Sequence, residues 1–492
     1  MLILKRFRFL FYLGLVVVFS LSVQITMPEN TKSENINSET EKYGLIDKTG
    51  KYVVLPQFDY IDNFSEGLAF VVINNKSGYI DKTGKMVIPL QVDGGTSSFS
   101  EGLAAATIKG SNKLGYIDKT GNYVIKPKFD KAESFHEGVA AVVVNYKYGY
   151  INKLGNYVIQ PQFEYSSRFE QDIAVVEVRH PHFHSQYGLI DKKGNYIVQP
   201  RFDQISHIDT YGPLDSLAEF KEGRMRVGMG GKICDMGGGV AGGKWGYIDQ
   251  AGKLVISLKF DNVENFYNGR AIVFMSAPGF IDCDSRNAAK RGYINLSGEY
   301  IVTPKFDDAK NFSEGLAAVK IGKKWGYIDL SGKIVIPPQF SHDSQFSEGL
   351  VVASKNGLYG YIDKTGKFVI APQFEEAGDF SEGLAATSKN GLCGYIDKTG
   401  KFVIAPQFEE AGDFSHGSAN VTVNQKQGLI DKTGKYIIEP KFEGVWDFYE
   451  GLAQVRLNEK RGYIARTGKL ITEIKFESAR HFKGGVAIVS VK

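Results

Sequence analysis

The sequence carries almost no surplus of charge: 59 lysines and arginines against 55 aspartates and glutamates leave a formal net charge of +4 in 492 residues. Three of those four units belong to Lys5, Arg6 and Arg8, in a leading segment without an acid, so the rest of the chain holds a single net positive charge. That excludes a nucleic-acid partner, whose phosphates demand a basic surface. Cysteine numbers only three, and none lies in the leading segment, so no lipid-modified anchor can form there. Nor is there the low hydrophobicity of a disordered chain: 43% of residues are hydrophobic and 23% charged, enough to bury a continuous core.

What is present at the start is a basic opening, an apolar run from Phe9 to Phe19, and the small residues Ser20 and Ser22 at the spacing of a cleavage site. Residues 1–26 therefore read as a signal peptide cut after Ser22. Because the apolar run continues through Leu21 and Val23, at the short end of a membrane span, an uncleaved N-terminal anchor is the alternative. Residues 27–42 are polar and read as a flexible linker. Either way the remainder is expected to be extracytoplasmic: secreted, periplasmic or held at the membrane.

From residue 43 to residue 492 the chain is periodic. Gly followed by Tyr or Leu, then Ile, occurs twelve times, and the last six of these glycines, Gly292 to Gly462, stand 34 residues apart. Tyr361 to Ser381 returns unchanged as Tyr395 to Ser415, a direct duplication of one unit. In the copy at Gly360, Gly-Tyr-Ile-Asp, Lys-Thr-Gly-Lys and Phe-Val-Ile predict a β-hairpin, with Asp363 and Gly366 as turn residues. Pro372 is expected to end its second strand, Phe374 and Phe380 to anchor a polar connection, and Leu384 to Ser388 to form a third strand. The fold class is all-β: twelve three-stranded antiparallel meanders. Apolar residues on both faces of each hairpin require cover from neighbouring units. Small residues in the third strand, such as Ala385-Ala386, suit a crowded position near an axis. The chain starts on a hairpin strand and ends on the strand type that precedes one, Val486 to Val491, so a propeller-like toroid is open to it, as is an open superhelix.

Trp245-Gly246 and Trp325-Gly326, with Gly-Tyr-Ile-Asp, Pro-x-Phe and Phe-Ser-Glu-Gly around them, resemble the bacterial WG-repeat family from Tyr43 to the C-terminus. Most copies here replace the tryptophan. The resemblance implies a β-repeat scaffold and no common catalytic activity or cofactor. The choline-binding repeats of cell-surface proteins are a weaker likeness, since they rely on paired tryptophans that this chain lacks.

The repeated motifs read as structure. Lys-Thr-Gly occurs in six hairpin turns, which argues against the strand of that sequence in serine β-lactamases. Gly238 to Lys244 begins like a phosphate-binding loop, but Trp245 stands where a hydroxyl is needed and a strand follows. Glu375-Glu376 and Glu409-Glu410 repeat as polar loops do, and Phe-Ser-Glu-Gly recurs too often to hold a nucleophile.

The departures from the period concentrate at residues 179–291. Between third strand and next hairpin, three consecutive copies lengthen, over Arg179 to Gln186, Gly228 to Lys244 and Ser276 to Arg291, and regular stacking would set these loops side by side. His180, His182 and His184 have the alternate spacing a metal site could use. Cys234 with Asp235, and Cys283 between Asp282 and Asp284, occupy the next two loops, and two cysteines on adjacent loops of an exported chain suggest a Cys234–Cys283 disulfide. Cys393 is expected as a half-buried strand residue. A further insertion, Ile205 to Ala218, falls on the opposite type of connection. Function reads first as an exported, non-catalytic scaffold for a protein or cell-envelope partner; a glycan-binding module, with Tyr211, Phe183 and Phe280 as exposed aromatics, is the alternative, and a metal-dependent hydrolase at the histidine loop the third.

Overall fold

A computed structural model describes residues 41–92, 97–107, 110–179, 185–205, 220–233, 240–276 and 289–492. In it the duplicated unit explains the rest. Ala385–Lys389, Leu392–Ile396 and Phe402–Phe408 form consecutive antiparallel strands. The tight turn at Asn390-Gly391 joins the first to the second, so the third strand of one sequence repeat pairs with the hairpin of the next. Sheet boundaries thus fall after Pro-x-Phe, half a unit from the sequence reading, because that connection alone is long enough to cross between sheets. Twelve sheets result, and among the described residues two residues of the connection, such as Glu376–Ala377, add a short fourth strand in eight of them. We call each sheet a blade and number it by its central Gly-Tyr or Gly-Leu strand, from Lys42–Asp47 in blade 1 to Lys460–Ala465 in blade 12.

Two glycines show what the motif is for. At Gly360 a bulge brings the neighbouring strand so close that an added Cβ would lie 2.4 Å from Ile370 O and 2.7 Å from Pro372 N. Pro372 does not end its strand, which runs to Phe374 and pairs again with Tyr359. Proline is tolerated there because it sits at a bulge on an edge strand, where no ladder N–H is required. In the turn, Gly366 has φ +86° and its N–H donates to Asp363 O at 2.9 Å. Asp363 Oδ1 accepts from the Thr365 hydroxyl at 2.6 Å, the Thr365 N–H at 2.9 Å and the Lys367 N–H at 3.1 Å.

Neighbours cover both faces. The core between blades 9 and 10 joins Tyr361, Ile370 and Phe374 to Phe380, Ala385 and Ile396, all buried. Each such side chain taken from water stabilises by about 1.5–3 kcal/mol. Twelve cores of this kind occupy the twelve seams. The buried Tyr361 hydroxyl donates across its seam to Gly378 O at 2.7 Å, as Tyr395 does to Gly412 O at 2.8 Å. Phe374 and Phe380 anchor the connection as expected. The ring closes: Val486–Val491 pairs with Lys42–Asp47 along six residues, from Lys42 opposite Val491 to Asp47 opposite Val486.

Gly366→Val would put a β-branched residue at positive φ and drive it against Ile336 of the preceding blade, 3.0 Å from a bare Cβ; Gly360→Ala would meet the backbone itself. Each is expected to cost about 1–3 kcal/mol or more, read as a lower unfolding midpoint in urea.

Candidate functional site

The strands end on two rims of different chemistry. On one, the Asp-Lys-Thr-Gly turn, or its counterpart, in seven blades meets the Phe-Ser-Glu-Gly segment, or its counterpart, of the blade before it. Glu348 of blade 9 accepts the N–H of Gly383 at 3.1 Å and pairs with Lys398 of blade 10 at 3.1 Å. The same clasp joins Glu314 to Lys364, Glu382 to Lys432, Glu66 to Lys119, Glu101 to Lys153 and Glu137 to Lys192, and Glu450 to Lys48 across the closing seam. Where Gln171 replaces the glutamate, Gln250 replaces the lysine, and the two amides bond at 2.8 Å. Ser347 and Ser381 hydroxyls are occupied in donating to Phe380 O and Phe414 O. The motif is a fastener, as its repetition implied. The Lys–Glu partnership itself was missed in the sequence; its trace there is a lysine 50 residues after the glutamate in three regular copies, Glu314 to Lys364, Glu348 to Lys398 and Glu382 to Lys432. These pairs are partly exposed, so each contributes about 0–1 kcal/mol.

On the opposite rim, an acid that follows Pro-x-Phe is held by the next blade's turn. Glu375 accepts the N–H groups of Asn390 at 3.1 Å and Gly391 at 2.7 Å, and Glu409 those of Asn424 at 2.8 Å and Gln425 at 2.9 Å. Those acids are therefore structural. Lysine from the central strand of the acid's own blade often completes the site, as Lys147 does for Glu164 at 2.6 Å and Lys426 for Glu443 at 3.6 Å.

The three lengthened loops leave from this second rim. Their flanking residues pair as Val178 with Gln186, Ile233 with Val240 and Met275 with Lys290, in blades 5, 6 and 7. Three consecutive blades thus open their loops side by side, as regular stacking required. The middle loop is shorter than the sequence reading, Gly228 to Lys244, because the ladder of Met225–Ile233 with Val240–Ile248 persists past Gly230 and Gly243, both at positive φ. The strand that undercut a phosphate-binding loop at Gly238 to Lys244 is there. His180, His182, His184, Cys234, Asp235, Asp282, Cys283 and Asp284 lie outside the described residues, as do Phe183, Tyr211, Phe280 and residues 206–218 of the further insertion. Among the described residues no group of three His, Cys, Asp or Glu side chains could hold a metal ion. Cys393 is a free, half-buried strand cysteine, as expected, with burial pushing its thiol pKa up. Of the exposed aromatics that sequence reasoning passed over, Tyr146, in the hairpin turn of blade 4 beside the first long loop, is the most exposed among the described residues, at 91%.

Twelve segments match the WG containing repeat: residues 43–76, 78–110, 115–148, 148–179, 187–212, 245–275, 292–325, 325–359, 359–393, 394–426, 428–460 and 462–492. No curated protein matches the chain. Among solved structures it is similar to a eukaryotic initiation factor, at 10% identity and TM-score 0.29 over 66% of this chain and 92% of that one. It is also similar to the extracellular domain of the putative hybrid two component system BT3049 from B. thetaiotaomicron, at 8% identity and TM-score 0.23 over 88% and 70%. A third is apo AztD from Citrobacter koseri, at 11% identity and TM-score 0.26 over 81% and 94%.

The carboxylates that fasten the ring also make it acid-sensitive. The Lys48 ammonium and the Gly484 N–H hold the Glu450 carboxyl below its ordinary value, and the Thr365 hydroxyl and turn N–H groups do the same for Asp363, against slight burial in both cases. Burial moves Glu264 and Asp379 the other way, but the lowered group is the larger. A carboxyl with a depressed folded pKa stabilises above its unfolded pKa and loses that contribution as pH falls through the folded one. The calorimetric midpoint is therefore expected to fall below about pH 4, and more shallowly in Lys48→Met. A midpoint level to about pH 3 would contradict this.

Proposed function

The chain belongs to the family of WG containing repeat proteins, and on that premise we propose that it is an exported, non-catalytic scaffold whose loop rim engages a protein or cell-envelope partner. The observation that carries this reading is the exit of three long loops from one rim of three consecutive blades. Loops tolerate insertion where they do not pack, and specificity is commonly placed there while the framework stays rigid. On the other rim, seven seams are closed by a lysine–glutamate clasp.

A glycan is the second reading, favoured by Tyr146, whose ring stands exposed on the loop rim where a sugar face could stack.

Shortening the three loops to the two-residue turn of other blades, Asn-Gly, is expected to leave the thermal midpoint unchanged and to abolish capture of the partner from envelope extract. Capture by both chains alike would move the binding surface to the repeats. Loss of binding to purified envelope glycan in Tyr146→Ala, with the loops intact, would select the second reading.

A further inference from the structure

One seam lacks the carboxylate that the others carry. In every other copy the Pro-x-Phe element, or its counterpart, is followed by Asp or Glu, whereas Phe340 is followed by Ser341. The groups that would hold that acid are nevertheless in place. Lys324 occupies the position from which Lys290 pairs with Asp307 and Lys426 with Glu443, and among the described residues it has no partner. Asn356 and Gly357 form the turn whose equivalents donate N–H bonds to Glu375 and Glu409, and they have the same positive φ, 55° and 82°. Ser341 supplies no substitute: its hydroxyl is taken up by His342 Nδ1 at 2.9 Å and the Ser354 hydroxyl at 2.8 Å. The result is a pocket of about 340 Å³ between blades 8 and 9, lined by Lys324, Ser341, His342, Lys355, Asn356 and Tyr359 among others.

We propose that this pocket binds the carboxylate of a small external acid, which takes the place that an internal Asp or Glu fills elsewhere. An ammonium and two convergent N–H groups of a positive-φ turn are an anion-binding set, and elsewhere in this ring the set holds a carboxylate. The volume is within the range of small-molecule sites, so the acid can carry a body of several heavy atoms beyond its carboxylate. Tyr359 and His342, with ring centroids 5.7 Å apart, form an aromatic wall for that body. The pocket is on the loop rim but uses no residue of the long loops, so it stands whether or not those loops bind.

The test is calorimetric titration of the full chain with two acids, an acetylated dipeptide bearing a free C-terminal carboxylate and glucuronate, beside the dipeptide amide, glucose and inorganic phosphate. At least one acid is expected to bind and its neutral counterpart not; whichever acid binds identifies the source as peptide or sugar. Lys324→Ala should weaken binding by about tenfold or more, the worth of one charge-assisted bond. Ser341→Asp, which restores the acid found in the other copies, should abolish binding while raising the thermal midpoint, and that rise shows the variant to be folded. Absence of binding by both acids, equal binding of the neutral counterparts, tighter binding of phosphate, or undiminished binding by Ser341→Asp would each overturn the proposal.

Discussion

A sheet that is apolar on both faces cannot stand in water by itself, and every blade here is such a sheet. Ile362 of blade 9 packs toward blade 8, while Tyr361, one residue earlier on the same strand, packs toward blade 10. The alternation of a strand thus assigns successive side chains to two different cores. No blade can be satisfied until both neighbours are present, and the first and last are satisfied only by each other. Closure follows from that requirement: the seam between blades 12 and 1 buries Tyr463, Phe476 and Phe482 beside Ile46 and Val489 as fully as any internal seam.

Polar groups are then left to specify how blades sit on one another. A tyrosine hydroxyl reaching a carbonyl in the next blade, a serine hydroxyl doing the same, and a glutamate gripped by a lysine and an N–H fix rotation and spacing in a way that apolar contact does not. Their individual energies are small. Both rims carry such fastenings, and it is on the rim where a carboxylate meets a turn that the chain has inserted loops and, at Ser341, withdrawn a fastening.

Much of the architecture was legible because tandem repetition averages away ambiguity. Twelve copies of Gly-Tyr/Leu-Ile gave the blade count, the Asp and Gly of the turn declared their roles through backbone chemistry, and the phase of Val486 to Val491 relative to the first Gly-Leu-Ile strand allowed the closing pair without deciding between ring and superhelix. The sheet boundary was misplaced because one strand of each sheet is separated from its hairpin by the point where the motif appears to begin, and a run of strands does not say which turn stays within a sheet. Pro372 misled because its missing N–H ends a strand only where the ladder needs that donor, and whether a residue sits at a bulge on an edge is not written in the local sequence. The candidate site was legible only in outline. Lengthened loops announce themselves as breaks in period, whereas the exchange of one acid for Ser341 leaves the spacing intact and gains meaning only when Lys324 and the turn at Asn356 are seen to converge on it.

The closing sheet also governs how the ring would respond to force. Its two strands run antiparallel, and Lys42, the first residue of its strand, lies opposite Val491, the last of the other, so both strand ends lie on the same rim. Tension applied between them would load the ladder from one end and part its bonds in succession, as a zipper opens, instead of shearing all of them together. Among the described residues, every other strand pair joins strands that follow one another along the chain, so the closing pair alone has no covalent connection holding its two strands together, and the chain's own topology decides where it is.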